Sequence, residues 1–73
     1  MKCVINVVWD NDAEVYIAMS DDIPGLVLES GSFDALIEKV RFAAPELLAL
    51  NSPKAEEIDL KFVSERLCKV FNV

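Results

Sequence analysis

Only one stretch of this chain carries apolar residues at helical spacing: Phe33, Leu36, Ile37, Val40, Ala44 and Leu47, with Asp34, Glu38, Lys39 and Arg41 opposite them. The remaining apolar segments alternate with a period of two, as strands do. A sheet has two faces and a single helix covers one of them. Any fold built from these pieces therefore leaves one face of its sheet open.

The strands follow from alternation and from the residues that interrupt it. Between Cys3 and Trp9 the odd positions Cys3, Ile5, Val7 and Trp9 form one apolar face. Asp10-Asn11-Asp12 favours a hairpin turn, because short polar side chains bond to their own backbone. Glu14 to Ser20 is the return strand, with Val15, Ile17 and Met19 on the side that pairs with Val7 and with Tyr16 and Ala18 on the other. Asp21-Asp22-Ile23-Pro24-Gly25 makes a second turn, in which Pro24 fixes its own φ and Gly25 tolerates a positive one. Leu26 to Glu29 is a third strand. Ser32 is placed to cap the helix, Pro45 kinks or restarts it, and Asn51-Ser52-Pro53 ends it. After a polar stretch over 54–57, Ile58, Leu60 and Phe62 alternate with Asp59 and Lys61 in a fourth strand. The segment from Ser64 to Phe71 reads as a bulged continuation of that strand, the alternative being an arm that reaches another subunit.

The resulting order is β-β-β-α-β, an α+β fold with a mixed four-stranded sheet in the order 3-2-1-4 and one kinked helix on one face. Right-handed crossover makes the last strand parallel to the first. Residues 1–73 are a single domain, too short to hold a second one. Cys3 and Cys68 then fall at opposite ends of the sheet, and no intrachain disulfide is expected. No export-like segment opens the sequence and no apolar run approaches the ~20 residues of a membrane span, so a soluble, cytoplasmic protein is expected.

Hydrophobic residues make up 53% of the chain and only two residues are glycine, which is enough to pack a core. A domain this small buries only ~60% of its unfolded surface, however, and self-association as a homodimer is expected to supplement it. Seven basic against thirteen acidic residues give a net charge of −6, the wrong sign for nucleic acid or anionic membranes. The same charge favours a basic protein partner.

Chemistry is poorly supplied. The absence of histidine removes the commonest neutral general base and zinc ligand, and two isolated cysteines do not make a four-ligand zinc site. Two glycines exclude a phosphate-cradling loop. Asp10, Asp12, Asp21 and Asp22 invite a metal-dependent nuclease reading. The two turns, however, lie at opposite ends of the second strand, some ~20 Å apart at ~3.3 Å per residue, and solvated turn carboxylates explain them better. No catalytic, metal or cofactor residue is expected.

The open sheet face carries more information. Val4, Val8, Tyr16, Ala18 and Val27 are expected to point away from the helix as a protein-binding patch, with Tyr16 as its anchor. Trp9 continues the opposite face and is expected to pack as core or rim. The sheet edges offer a second route, through Leu26 to Glu29 and through the apolar end of the last strand at Leu67, Val70 and Phe71.

The run Ser20-Asp21-Asp22-Ile23-Pro24-Gly25-Leu26, followed by Glu29-Ser30-Gly31-Ser32-Phe33-Asp34-Ala35-Leu36, resembles the centre of the HicB-like antitoxins. Ala44-Pro45-Glu46-Leu47-Leu48 resembles a short branch of that group which is a domain of unknown function, and the likeness extends from Val4 to about Phe62. The resemblance implies a partial ribonuclease H-like fold and a basic, mRNA-cleaving toxin as partner, whose RNA surface the antitoxin occludes. Ser32 and Asp34 stand where the family pattern often has a threonine and paired glutamates. With the sequence running to Val73, the C-terminal DNA-binding module of complete members is expected to be missing, which puts operator binding in doubt. A stand-alone structural or regulatory homodimer without a toxin is the second expectation.

Overall fold

The computed structural model describes residues 1–50 and 57–72. Its elements are β1 (Lys2–Asp10), β2 (Val15–Met19), β3 (Val27–Ser30), α1 (Phe33–Ala49) and β4 (Asp59–Glu65). They form a four-stranded sheet in the order β3-β2-β1-β4, with β1–β2 and β2–β3 antiparallel and β1–β4 parallel. The order, the directions and the single helix are those the sequence predicts.

β1 places Cys3, Ile5 and Val7 in the core, since alternate residues of a strand share a face. α1 meets them with Leu36, Val40, Ala44 and Leu48, four positions at intervals of four that stack along one side of the helix. Ser32 caps the helix by accepting a hydrogen bond from the Ala35 amide at 3.3 Å, and Asp34 complements the positive end of the helix dipole. The helix is continuous through Pro45, so it does not restart there. The expected terminator Asn51-Ser52-Pro53 and positions 54–56 of the polar stretch lie outside the described residues.

The hairpin corrects the expected facing of β2. Residues 11–14 form the turn, and Glu14, instead of opening the strand, takes a left-handed conformation with φ 54°. Asp10 then pairs with Val15, which sets Val7 opposite Ala18 and Val8 opposite Ile17. Tyr16 and Ala18 face the helix, while Val15, Ile17 and Met19 face away. The physical reason is that Val15-Tyr16-Ile17-Ala18-Met19 is apolar in both phases. Alternation within β2 therefore does not select its facing, and a shift of one residue in the register exchanges the faces.

The second turn carries more than punctuation. Ile23 and Leu26 are buried in the core, although neither belongs to a strand. Gly25 takes φ 85°, and the Leu26 amide donates to the Ile23 carbonyl at 3.2 Å. At the other end, β4 stops at Glu65 and residues 66–72 have no regular structure, so the expected bulged continuation to Phe71 is not formed. Cys3 lies opposite Leu60 and Cys68 lies beyond the end of β4, with no disulfide between them.

Candidate protein-docking surfaces

Register and alternation give the layout of the face that α1 leaves open. Across the sheet one row reads Val27, Met19, Asn6, Val63, and the next reads Glu29, Ile17, Val8, Glu65. Val15 and Asp10 extend this grid at one end, Val4 and Lys61 at the other. Val8, Met19 and Val63 are each about 42–43% exposed and Val27 is 67% exposed. An apolar strip thus crosses all four strands, interrupted by Asn6 and bordered by Glu29, Glu65 and Asp10. Water-facing apolar area with three carboxylates at one end and Lys61 at the other is suited to a protein surface of apolar and mainly basic composition.

Three of the five sequence-predicted patch residues, Val4, Val8 and Val27, lie on this face. The other two do not. Ala18 is fully buried under the helix. Tyr16 sits on the helix side, half-buried in an edge-to-face aromatic row with Trp9 at 4.8 Å and Phe33 at 5.4 Å between ring centroids. Ile17, Met19, Val15 and Val63 hold the places they vacate. Sequence alternation misses the three β2 residues because β2 lacks a polar phase. Val63 is missed because its neighbours Leu60 and Phe62 set the phase of β4 towards the core.

The aromatic row ends at the root of the C-terminal segment. The Arg66 guanidinium lies 4.1 Å from the Trp9 ring centroid and donates to the Tyr16 hydroxyl at 3.3 Å. Trp9 also donates from Nε1 to Asn11 Oδ1 at 2.8 Å. Trp9 is therefore a rim residue, as expected, and Val8, Trp9, Asn11, Glu65, Arg66 and Leu67 line a shallow cleft of about 370 Å³ beside it. Past Arg66 the segment projects into solvent. Leu67, Val70 and Phe71, the remaining predicted interface residues, are 94%, 81% and 83% exposed.

Two of the four turn aspartates, Asp10 and Asp22, are occupied with local structure. Asp10 Oδ1 accepts from the amides of Asp12 and Ala13 at 2.9 and 3.1 Å, fixing the hairpin turn. Asp22 Oδ2 accepts from the Val4 amide at 2.7 Å, while Ser20 Oγ donates to the Val4 carbonyl at 2.6 Å and accepts from the Asp22 amide at 3.1 Å. These side chains satisfy β1 beyond the last residue of β2, where the backbone ladder has ended. Asp10 and Asp22 thus serve opposite ends of β1. Among the described residues no group of three or more His, Cys, Asp or Glu side chains is arranged to hold a metal ion, and no helix is long and apolar enough to cross a membrane.

Residues 2–72 match the family described as "Domain of unknown function (DUF1902)". Among solved structures, the chain is similar to a hypothetical protein from the extremely thermophilic bacterium Thermus thermophilus. The identity is 31% and the TM-score 0.83, over 96% of this chain and 100% of that one. No curated protein matches.

Proposed function

The chain belongs to the DUF1902 family, and from that premise we propose that it is a non-enzymatic protein-binding domain of antitoxin type. In this reading its open sheet face grips a basic, RNA-cleaving protein and covers the surface that RNA would occupy. The observation that carries the reading is the apolar strip of Val27, Met19, Ile17 and Val8 bordered by Glu29, Glu65 and Asp10. Apolar area supplies the binding free energy, and the carboxylates select a cationic partner and speed its approach. The resemblance of Ser20 to Leu26 to the turn of the HicB-like antitoxins and the net charge of −6 support the same class of partner.

The test is titration calorimetry of the purified chain against a basic ribonuclease encoded beside it, together with an RNA-cleavage assay. Binding that weakens with salt and abolishes cleavage is expected, and Ile17→Lys should weaken it at least tenfold by placing a cation in the strip. A neighbouring ribonuclease that neither binds nor loses activity would sink the reading. The second reading, a stand-alone structural or regulatory homodimer, is favoured by the exposed apolar residues of 66–72. It predicts self-association with no bound ribonuclease.

A further inference from the structure

The segment 66–72 is unlike the body from which it emerges. All thirteen acidic residues precede it, so residues 1–65, with five basic residues, carry a net −8, whereas 66–72 holds Arg66 and Lys69 and no acid. The molecule is also elongated. The radius of gyration is 14.4 Å and the long axis 57 Å, against a radius of about 11 Å for a compact chain of this length. Arg66 pins the root of this arm to Trp9 and Tyr16, and beyond that anchor Leu67, Val70 and Phe71 are left in water.

A surface suited to the arm lies on the same chain, out of its own reach. β4 is an outer strand, so among the described residues one side of its backbone has no ladder partner. α1 packs mainly on β2 and β3, which leaves Ile58, Leu60 and Phe62 along this edge only half-buried. The arm continues directly from β4, and residues 66–72 form neither a turn nor a strand that would fold it back.

We propose that the arm docks along β4 of a second copy of this chain, and that the exchange is reciprocal. A two-fold axis near Glu65 and Arg66 sets each arm antiparallel to the other copy's β4 and makes one sheet that runs through both protomers. With the axis between Glu65 and Arg66, Phe71 lies opposite Leu60 and Lys69 opposite Phe62 of the other copy, so Phe71 and the stem of Lys69 cover part of the shoulder formed by Ile58, Leu60 and Phe62, and the Lys69 charge enters the field of an acidic body. The second copy is favoured over a foreign chain because the arm carries Arg66, Lys69 and no acid, while the body it would reach carries a net −8. The exchange leaves the Val8 and Ile17 face uncovered, so it is independent of the ribonuclease reading.

The experiment is light scattering on the full chain at micromolar concentration, beside the full-length double variant Leu67→Asp, Phe71→Asp. The natural chain should have twice the protomer mass and the double variant the protomer mass, with the same far-UV circular dichroism. Should the variant not fold, a spin label on exposed Cys68 of the unsubstituted chain decides, since Cys3 is buried and resists labelling. Pairing about the stated axis predicts a label separation of about 15–25 Å from ~3.3 Å per residue and ~4.8 Å between strands. A monomeric natural chain, a double variant that remains dimeric, or labels far outside that range would each overturn the proposal. A monomer that still binds the ribonuclease would overturn the arm exchange alone.

Discussion

The loop from Ser20 to Leu26 and the arm from Arg66 to Asn72 are both irregular and both carry large apolar side chains, yet their fates are opposite. The loop buries Ile23 and Leu26 completely or nearly so, whereas the arm leaves Leu67, Val70 and Phe71 almost fully in water. The difference lies in attachment. The loop is held at both ends by strands and is tied to β1 through Ser20 and Asp22 on Val4, with Gly25 supplying the positive φ that turns Leu26 inward. The arm is held at one end, by Arg66 on the aromatic row. Ordering a residue costs about 1–2 kcal/mol of backbone entropy, so a segment tethered once needs a partner surface that a doubly tethered loop already has.

The contrast can be broken by substitution, and the loop should give the larger effects. Ile23→Ala should lower unfolding stability by about 2–5 kcal/mol, because it opens a cavity in a core that includes Leu36 and Val40. Urea titration at several protein concentrations checks it, and a loss below about 1 kcal/mol would mean that the loop is not part of the core. Gly25→Ala should cost about 1–2 kcal/mol. The added Cβ would meet Leu47 Cδ2 at an ordinary 3.7 Å, so conformation and not crowding sets this penalty.

Smaller effects sharpen the same contrast. Asp22→Ala should cost about 1 kcal/mol by removing the acceptor for the Val4 amide, with faster hydrogen exchange at that amide as the specific sign. Arg66→Ala should cost about 0.5–1 kcal/mol through the lost contact with Trp9, read as altered fluorescence of the chain's single tryptophan. Leu67→Ala in dilute solution should change stability by less than about 0.5 kcal/mol, since that side chain is almost fully exposed. A cost that appears only as concentration rises would mark a contribution from a second copy.

Much of the architecture was legible in the residues, for reasons that can be named. β1 alternates cleanly, α1 has a capped start at Ser32 and a repeating apolar stripe, and β4 shows its phase through Leu60 and Phe62. The open face was legible as an expectation, since one helix cannot cover two sides. Its membership was less so. Tyr16 and Ala18 change places with Ile17 and Met19 because β2 is apolar throughout and its register depends on a turn residue, Glu14, that nothing in its side chain marks as left-handed. Ile23 hid in a turn motif for a similar reason, because turn propensity describes backbone direction and is silent on which side chains the bend carries inward.

The amino-acid order by itself determined the set of elements, the strand order and the acidity of the body, because these rest on local periodicity, on chain handedness and on counting. Only the tertiary structure decided which face each β2 residue occupies, that Ile23 and Leu26 join the core, and that the chain leaves the sheet after Glu65. Each of these depends on register or on a contact between segments far apart in sequence. Such contacts are selected by the free energy of the whole packing, and no local pattern contains it.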